Sequence, residues 1–222
     1  MDIYLIRHAK PDYVTDSLTD EGRDEAQRLA DYLRPVKFDA IYVSPLGRAR
    51  DTARLIARSH RMKTIKLPWL AELHGEFEPN IAAWNITARQ IEADPNMITA
   101  IDLFMADQER EARAGFDALL AEYGYERNGL AYRATGRPTA GTVIAIVAHG
   151  GLNTTLLSSI FSWPLPMMYA YFDYRTTGIT HLRMIRSGQS AALKATAINA
   201  RPHLPIDDAL SLPTGRAEAE PA

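Results

Sequence analysis

The sequence predicts an α/β fold: a three-layer α/β/α sandwich with a mostly parallel sheet and a helical cap insertion over about residues 79–138. Two observations carry this expectation. Short apolar, β-branched runs alternate with segments of helical period, which is the pattern of strands covered by helices on both faces. Between Pro79 and Pro138 the strand signal disappears and helical spacing takes over.

Asp2–Ile6 is short and apolar on both alternating faces, which suits a strand buried on two sides, and it stops at Arg7-His8. After a polar loop, Thr19 can cap a helix whose apolar positions Ala26, Leu29, Ala30 and Leu33 follow i, i+3, i+4, i+7 spacing, with Pro35 closing it. A second unit repeats the arrangement: strand Ala40–Val43, the turn Ser44-Pro45-Leu46-Gly47, and a helix burying Ala49, Thr52, Ala53, Ile56 and Ala57. Thr64–Leu67 reads as a third strand. Within the cap, Asp107–Tyr123 places Ala112, Phe116, Leu119, Leu120 and Tyr123 on one helix side, and Gly124 is its stop. Thr142–Ala148 is the most apolar continuous run and leads into His149-Gly150-Gly151 and a helix. Met168–Tyr174, Gly178–Ile185 and Ala191–Ile198 read as strands completing one sheet edge. Residues 1–200 are thus expected to form one domain, and the proline-bearing segment 201–222 a disordered tail.

Composition narrows the function. With 222 residues, 46% of them hydrophobic, the chain can bury one sizeable core. Its 25 Lys+Arg against 27 Asp+Glu leave a net charge of -2, which disfavours a nucleic-acid or other polyanion partner. The absence of cysteine excludes disulfides, thiolate metal sites and a Cys nucleophile. The start Met1-Asp2 has no basic leader region, and Ile3–Ile6 is too short to span a membrane, so a cytoplasmic protein without membrane partners is expected.

In open α/β sheets ligands bind at the carboxyl ends of strands. Three such ends carry Arg7-His8, the turn from Ser44 to Arg48, and His149. Two arginines and two histidines at one sheet edge make a local positive site suited to a phosphate dianion, because guanidinium donors match phosphate oxygens in pairs.

The motifs Leu5-Ile6-Arg7-His8, Leu18-Thr19 with Gly22, Ser44-Pro45-Leu46-Gly47-Arg48-Ala49 with Thr52-Ala53, and His149-Gly150-Gly151 resemble those of the histidine phosphatase superfamily, also called phosphoglycerate mutase-like. The resemblance implies that fold, and a metal-independent, cofactor-free phosphomonoesterase of its phosphatase branch. It implies His8 as nucleophile, Arg7 and Arg48 as grips on the phosphoryl oxygens, and His149 as the completion of the pocket. A poor leaving alkoxide needs a proton, so a carboxyl group is expected opposite the nucleophile. Glu72 is the candidate, in a segment similar to the family's acid segment, with Glu76 and Glu78 as competing choices.

Ala9 stands where the family usually has Gly, and Pro11 and Val14 where Thr and Asn are frequent; Ala9 fits if its φ is negative. Asn153 and Thr154 stand near where many members carry Arg. Arg50, Arg54 and Arg58 read as a solvated helix stripe, and Arg127, Arg133 and Arg137 as a solvated loop or a second anion contact. Trp84, Phe104, Tyr125 and Tyr132 either line the cleft or pack cap against core. The expected function is hydrolysis of a small phosphorylated metabolite through a phosphohistidine. The alternatives are a cofactor-dependent phosphomutase and a non-catalytic phospholigand-binding protein on the same fold. The natural substrate is not legible in the chain, and a homodimer is left open.

Overall fold

From its N-terminus the chain forms β1 (Asp2–Arg7), the short strands β2 (Pro11–Asp12) and β3 (Ser17–Leu18), α1 (Asp20–Leu33), β4 (Ala40–Val43), α2 (Gly47–His60) and β5 (Ile65–Lys66). It continues through β6 (Glu76–Glu78), β7 (Ile81–Ala82), α3 (Ala88–Ala93), α4 (Asn96–Glu122), β8 (Tyr125–Asn128) and β9 (Ala131–Ala134). It ends with β10 (Val143–Ala148), α5 (Gly150–Phe161), α6 (Leu165–Tyr171), β11 (Ile179–Ser187) and β12 (Ser190–Ala200). The computed structural model describes residues 1–78, 81–135 and 141–205.

Eight strands make one sheet in the order β5-β4-β10-β1-β11-β12-β9-β8. Pairs from β5 to β1 are parallel, and pairs from β1 to β8 are antiparallel. Side chains of the central strands alternate between two cores. Ile6, Ile41, Val43, Ala145 and Val147 pack on α1 and α2 through Leu29, Leu33, Ala53 and Ile56. Ile3, Leu5, Ile144 and Ile146 pack on α4 and α5 through Phe116, Leu120, Leu152 and Leu156. This two-sided burial explains why β1 and β10 read as unbroken apolar runs, and it gives three layers. A smaller cluster of Ala83, Ile86, Ile91, Ile101, Met105, Leu165 and Tyr169 seats the cap.

The strand β1 passes its chain to α1 on one face, while its parallel neighbour β10 passes its chain to α5 on the other. The carboxyl ends of these two strands therefore border a topological switch point, where chain ends diverge and leave a crevice.

Three element expectations are corrected. Met168–Tyr174 is not a strand: α6 occupies Leu165–Tyr171, because Leu165, Met168 and Tyr169 are buried at i, i+3, i+4 spacing and Pro166 lies in the first turn, where its missing N–H costs nothing. The cap segment also contains strands. β8 and β9 form a hairpin on the antiparallel edge of the main sheet, with Gly129 at φ 65° in the turn. Its Asn128-Gly129 pair is the usual signal for such a turn. The long helix starts at Asn96, earlier than the Asp107 expected.

Of the segment expected to be disordered, residues 201–205 are described, and His203 Nε2 lies 2.9 Å from Thr177 Oγ1. Residues 206–222 lie outside the described residues, as do 79, 80 and 136–140 at the ends of the cap. Among the described residues no helix is long and apolar enough to cross a membrane.

Candidate active site

Register brings the two histidines together. β1 and β10 pair in parallel with Arg7 opposite Ala148, so the next residues, His8 and His149, emerge side by side. Their ring centroids lie 5.1 Å apart, tilted by 61°. β4 pairs with β10 through Val43 and Val147, which places Ser44 and the start of α2 at the same edge.

His8 is 1% exposed. Its Nδ1 lies 2.7 Å from its neighbour's carbonyl, Ala9 O, and can only donate there. Its Nε2 is therefore the bare nitrogen, and it accepts a bond from Arg48 Nε at 3.3 Å. Burial, followed by the charges of Arg7 and Arg48, outweighs the Ala9 carbonyl and holds the imidazole pKa down at about 3. At neutral pH the ring is uncharged and its lone pair points into the site.

Ser44 Oγ accepts the Leu46 N–H, so its own proton is available for His149 Nε2, 2.7 Å away. His149 then carries its proton on Nδ1, a buried atom with no hydrogen-bond partner among the described residues. Burial, then His8 and the two arginines, lowers the His149 pKa to about 2. The buried Nε of Arg7 likewise lacks a partner, while its NH1 donates to Tyr174 O. A Cβ on Gly150 would lie 3.2 Å from the Arg7 guanidinium, so glycine lets this cation lie flat on the entry to α5.

Arg48 is held from two sides. Its NH1 pairs with Asp16 Oδ1 at 2.7 Å, and its guanidinium lies 5.4 Å from the Tyr13 ring centre. Asp16 also accepts the Gly47 N–H at 2.6 Å. Burial alone would raise the Asp16 pKa, but these bonds prevail and it falls below the ordinary 3.8. Asp16 was invisible in the sequence, because its role comes from a left-handed backbone at φ 47° and a contact with a distant turn.

Glu72 sits at the N-terminus of α5. Its Oε1 accepts the N–H groups of Leu152 at 2.9 Å and Leu73 at 3.1 Å, and Oε2 accepts that of Gly151 at 3.3 Å. Glu72 and the Trp84 indole both crowd Gly151: a Cβ there would lie 2.8 Å from the indole and 2.9 Å from Glu72 Oε1, and one on Gly75 would lie 2.1 Å from the indole. Burial raises the Glu72 pKa above the ordinary 4.5 despite these N–H groups and Arg7. Glu76 is exposed, and the Glu78 side chain lies outside the described residues.

The remaining sequence candidates separate clearly. Ala9 is fully buried without positive φ, and its N–H donates to Thr52 Oγ1 at 3.0 Å. Val14 is exposed. Trp84 lines the cavity beside the site, whereas Tyr125 and Tyr132 are core residues and Phe104 packs on Phe77. Arg127 pairs with Asp117 and Arg133 with Glu126; Arg137 lies outside the described residues. Among the described residues no group of three His, Asp or Glu side chains is arranged to hold a metal ion.

An uncharged imidazole beside a second histidine and an arginine, on an α/β switch point, is an arrangement suited to a compact anion. The chain belongs to the histidine phosphatase superfamily (branch 1), whose family model matches residues 3–196. It is 26% identical over 194 residues to the adenosylcobalamin/alpha-ribazole phosphatase of Escherichia coli (strain K12), covering 77% of this chain and 84% of that protein. Its fold matches that of mycobacterial hydrolase 1 with a TM-score of 0.63 at 21% identity, covering 90% of this chain and 98% of the other. It also matches the phosphoserine phosphatase of Entamoeba histolytica, solved with 3-phosphoglyceric acid, with a TM-score of 0.61 at 23% identity, covering 91% and 98%. These last two likenesses establish the phosphoglycerate mutase-like fold, and the relatives named as phosphatases support a phosphatase activity.

Proposed function

We propose that the protein hydrolyses phosphomonoesters of small metabolites through a phosphohistidine on His8, without a metal ion. His8 Nε2 attacks phosphorus, the P–O bond to the alcohol breaks, and Glu72 gives its proton to the departing oxygen. Water then attacks the phosphorus while the Glu72 carboxylate takes one of its protons. The P–N bond breaks, releasing inorganic phosphate and returning both residues to their starting forms. Arg7, Arg48 and His149 bind the phosphoryl oxygens and stabilise the charge that builds on them, the service usually rendered by preorganised donors in a dry site.

One observation carries this reading: the His8 ring, its Nε2 free of a proton, lies beside the His149 ring and the Arg48 guanidinium, while Arg7 Nε and His149 Nδ1 are buried without hydrogen-bond partners among the described residues. Unpaired buried donors are costly unless a ligand completes them, and a phosphoryl group would do so. The raised Glu72 pKa supports its role as the acid of the first step.

The test is phosphate release from an aryl phosphate in chelating buffer, comparing the parent with His8→Ala. Release that continues in chelator and is lost in the variant is expected, together with an acid-labile phosphoryl label on the parent alone. Chelator-sensitive release, or release that survives His8→Ala, overturns the proposal.

A further inference from the structure

We propose that the alcohol leaving this site is flat-faced and uncharged, with no second acidic group, and that Asp173 enforces this selectivity. The inference deepens the hydrolysis reading above and rests on it.

A cavity of about 480 Å³ opens beside Arg7, Gly150 and Gly151, a volume suited to a small molecule. Trp84 reaches both this cavity and the Glu72 carboxyl, so the cavity adjoins the group that would protonate the leaving oxygen. Tyr13, Trp84, Tyr169, Tyr171 and Phe172 bring rings to the lining, beside the polar groups of Asn85 and Thr154. The rings offer stacking to a flat face, and the polar groups offer hydrogen bonds to an uncharged one.

The charges around the cavity are lopsided. Arg7 is the single cation among its lining residues, and it is committed beside His8 and to the Tyr174 carbonyl. The other lining charge is Asp173, a carboxylate. The nearby Arg175 is drawn to Asp173 at 3.1 Å. The sequence between Phe77 and Trp84 supplies no Lys or Arg. A carboxylate or second phosphate on the leaving group would therefore lose water and, among the described residues that line the cavity, meet no cation besides Arg7, while Asp173 holds Arg175 in an ion pair. The same deficit counts against the phosphomutase alternative, which must seat a second phosphate.

The experiment compares kcat/KM for naphthylethyl phosphate, an alkyl ester like the others, with that for phosphoserine and 3-phosphoglycerate, in the parent, Asp173→Asn and Tyr171→Ala. Naphthylethyl phosphate is expected to lead by about 10- to 100-fold, the factor that a missing charge-assisted hydrogen bond represents. Asp173→Asn frees Arg175 from its ion pair and leaves that cation to an acidic leaving group, so that lead should shrink several-fold. Tyr171 is 65% exposed, so its truncation should spare the fold and raise KM for naphthylethyl phosphate several-fold, with less effect on phosphoserine. Equal or better turnover of the acidic substrates by the parent, or a lead unmoved by Asp173→Asn, overturns this inference and leaves hydrolysis standing. No phosphate from either class overturns the hydrolysis reading itself, and this inference with it.

Discussion

Arg48 has a long, flexible side chain, and its usefulness depends on where its guanidinium waits before an anion arrives. Asp16 and Tyr13 hold it there, with its Nε directed at His8 Nε2. Asp16→Ala should lower kcat/KM by about 10-fold or more, short of the ~10²–10³ typical when an oxyanion donor is itself lost. Asp16→Asn, which keeps an oxygen for the Gly47 N–H, should recover part of the loss; steady-state kinetics on variants with parental Tm will show it. Glu72 gives a second expectation. An acid is most needed by a poor leaving group, so Glu72→Gln should slow alkyl phosphates by about 10²–10⁴ and aryl phosphates with acidic phenols much less. Because the first step uses protonated Glu72, kcat/KM for alkyl esters should fall as pH rises through its raised pKa, and the Gln variant should lack that limb. An equal loss on both ester classes would remove Glu72 from the acid's role. That Arg7, His8, Arg48 and His149 meet at one sheet edge could be read in the sequence, because residues at strand ends are fixed by chain order. Asp16 and Asp173 could not, since each acts on a partner brought near only by folding.

Helix α1 shows how a local signal becomes an element. Thr19 Oγ1 accepts the Gly22 N–H at 3.0 Å, satisfying one of the donors that a helix start leaves open. Thr19→Ala should cost about 1 kcal/mol, seen as a fall in Tm of roughly 2–4 °C for a chain of this size; an unchanged Tm would mean that the cap bond carries no stability. The strands β4 and β10 and the buried positions of α1 and α2 were legible for the same reason, since period and burial agree along them. Where period was ambiguous, the reading failed. The run Met168–Tyr174 is rich in aromatic residues that suit a strand, and the buried spacing of α6 emerges only once Leu165 is counted with Met168 and Tyr169. In β8 and β9 only alternate residues are buried, notably Tyr125 and Tyr132, and charged neighbours hide them. The Asn128-Gly129 turn was the signal available there.

The fold as a whole holds three histidines uncharged: His8, His149 and His203, with pKa values of about 3, 2 and 4 against an ordinary 6.5. Burial is the first cause in each, and the unfolded chain has no such burial. As pH falls below 6.5 the unfolded chain takes up protons at these rings while the folded protein does not, so stability is lost progressively, to about pH 4 for His203 and on to about pH 3 and 2 for His8 and His149. Asp2 and Asp16, with lowered pKa values, add to the loss only as pH drops below 3.8. Glu72, Asp102 and Glu109, whose pKa values burial raises, recover stability as pH falls toward the ordinary carboxylate range, and they oppose three histidines displaced far below 6.5. Thermal melts at constant ionic strength should therefore show Tm declining from pH 7 to pH 4.5. His203→Gln, at a ring bonded to Thr177 and outside the proposed chemistry, should flatten the slope by removing one of the three protons. Inorganic phosphate should raise Tm most near neutral pH, where more of it is the dianion that the arginines can bind. A Tm that is level across this range would mean that the imidazoles gain their protons inside the fold, and that the hollow is wetter than its packing implies.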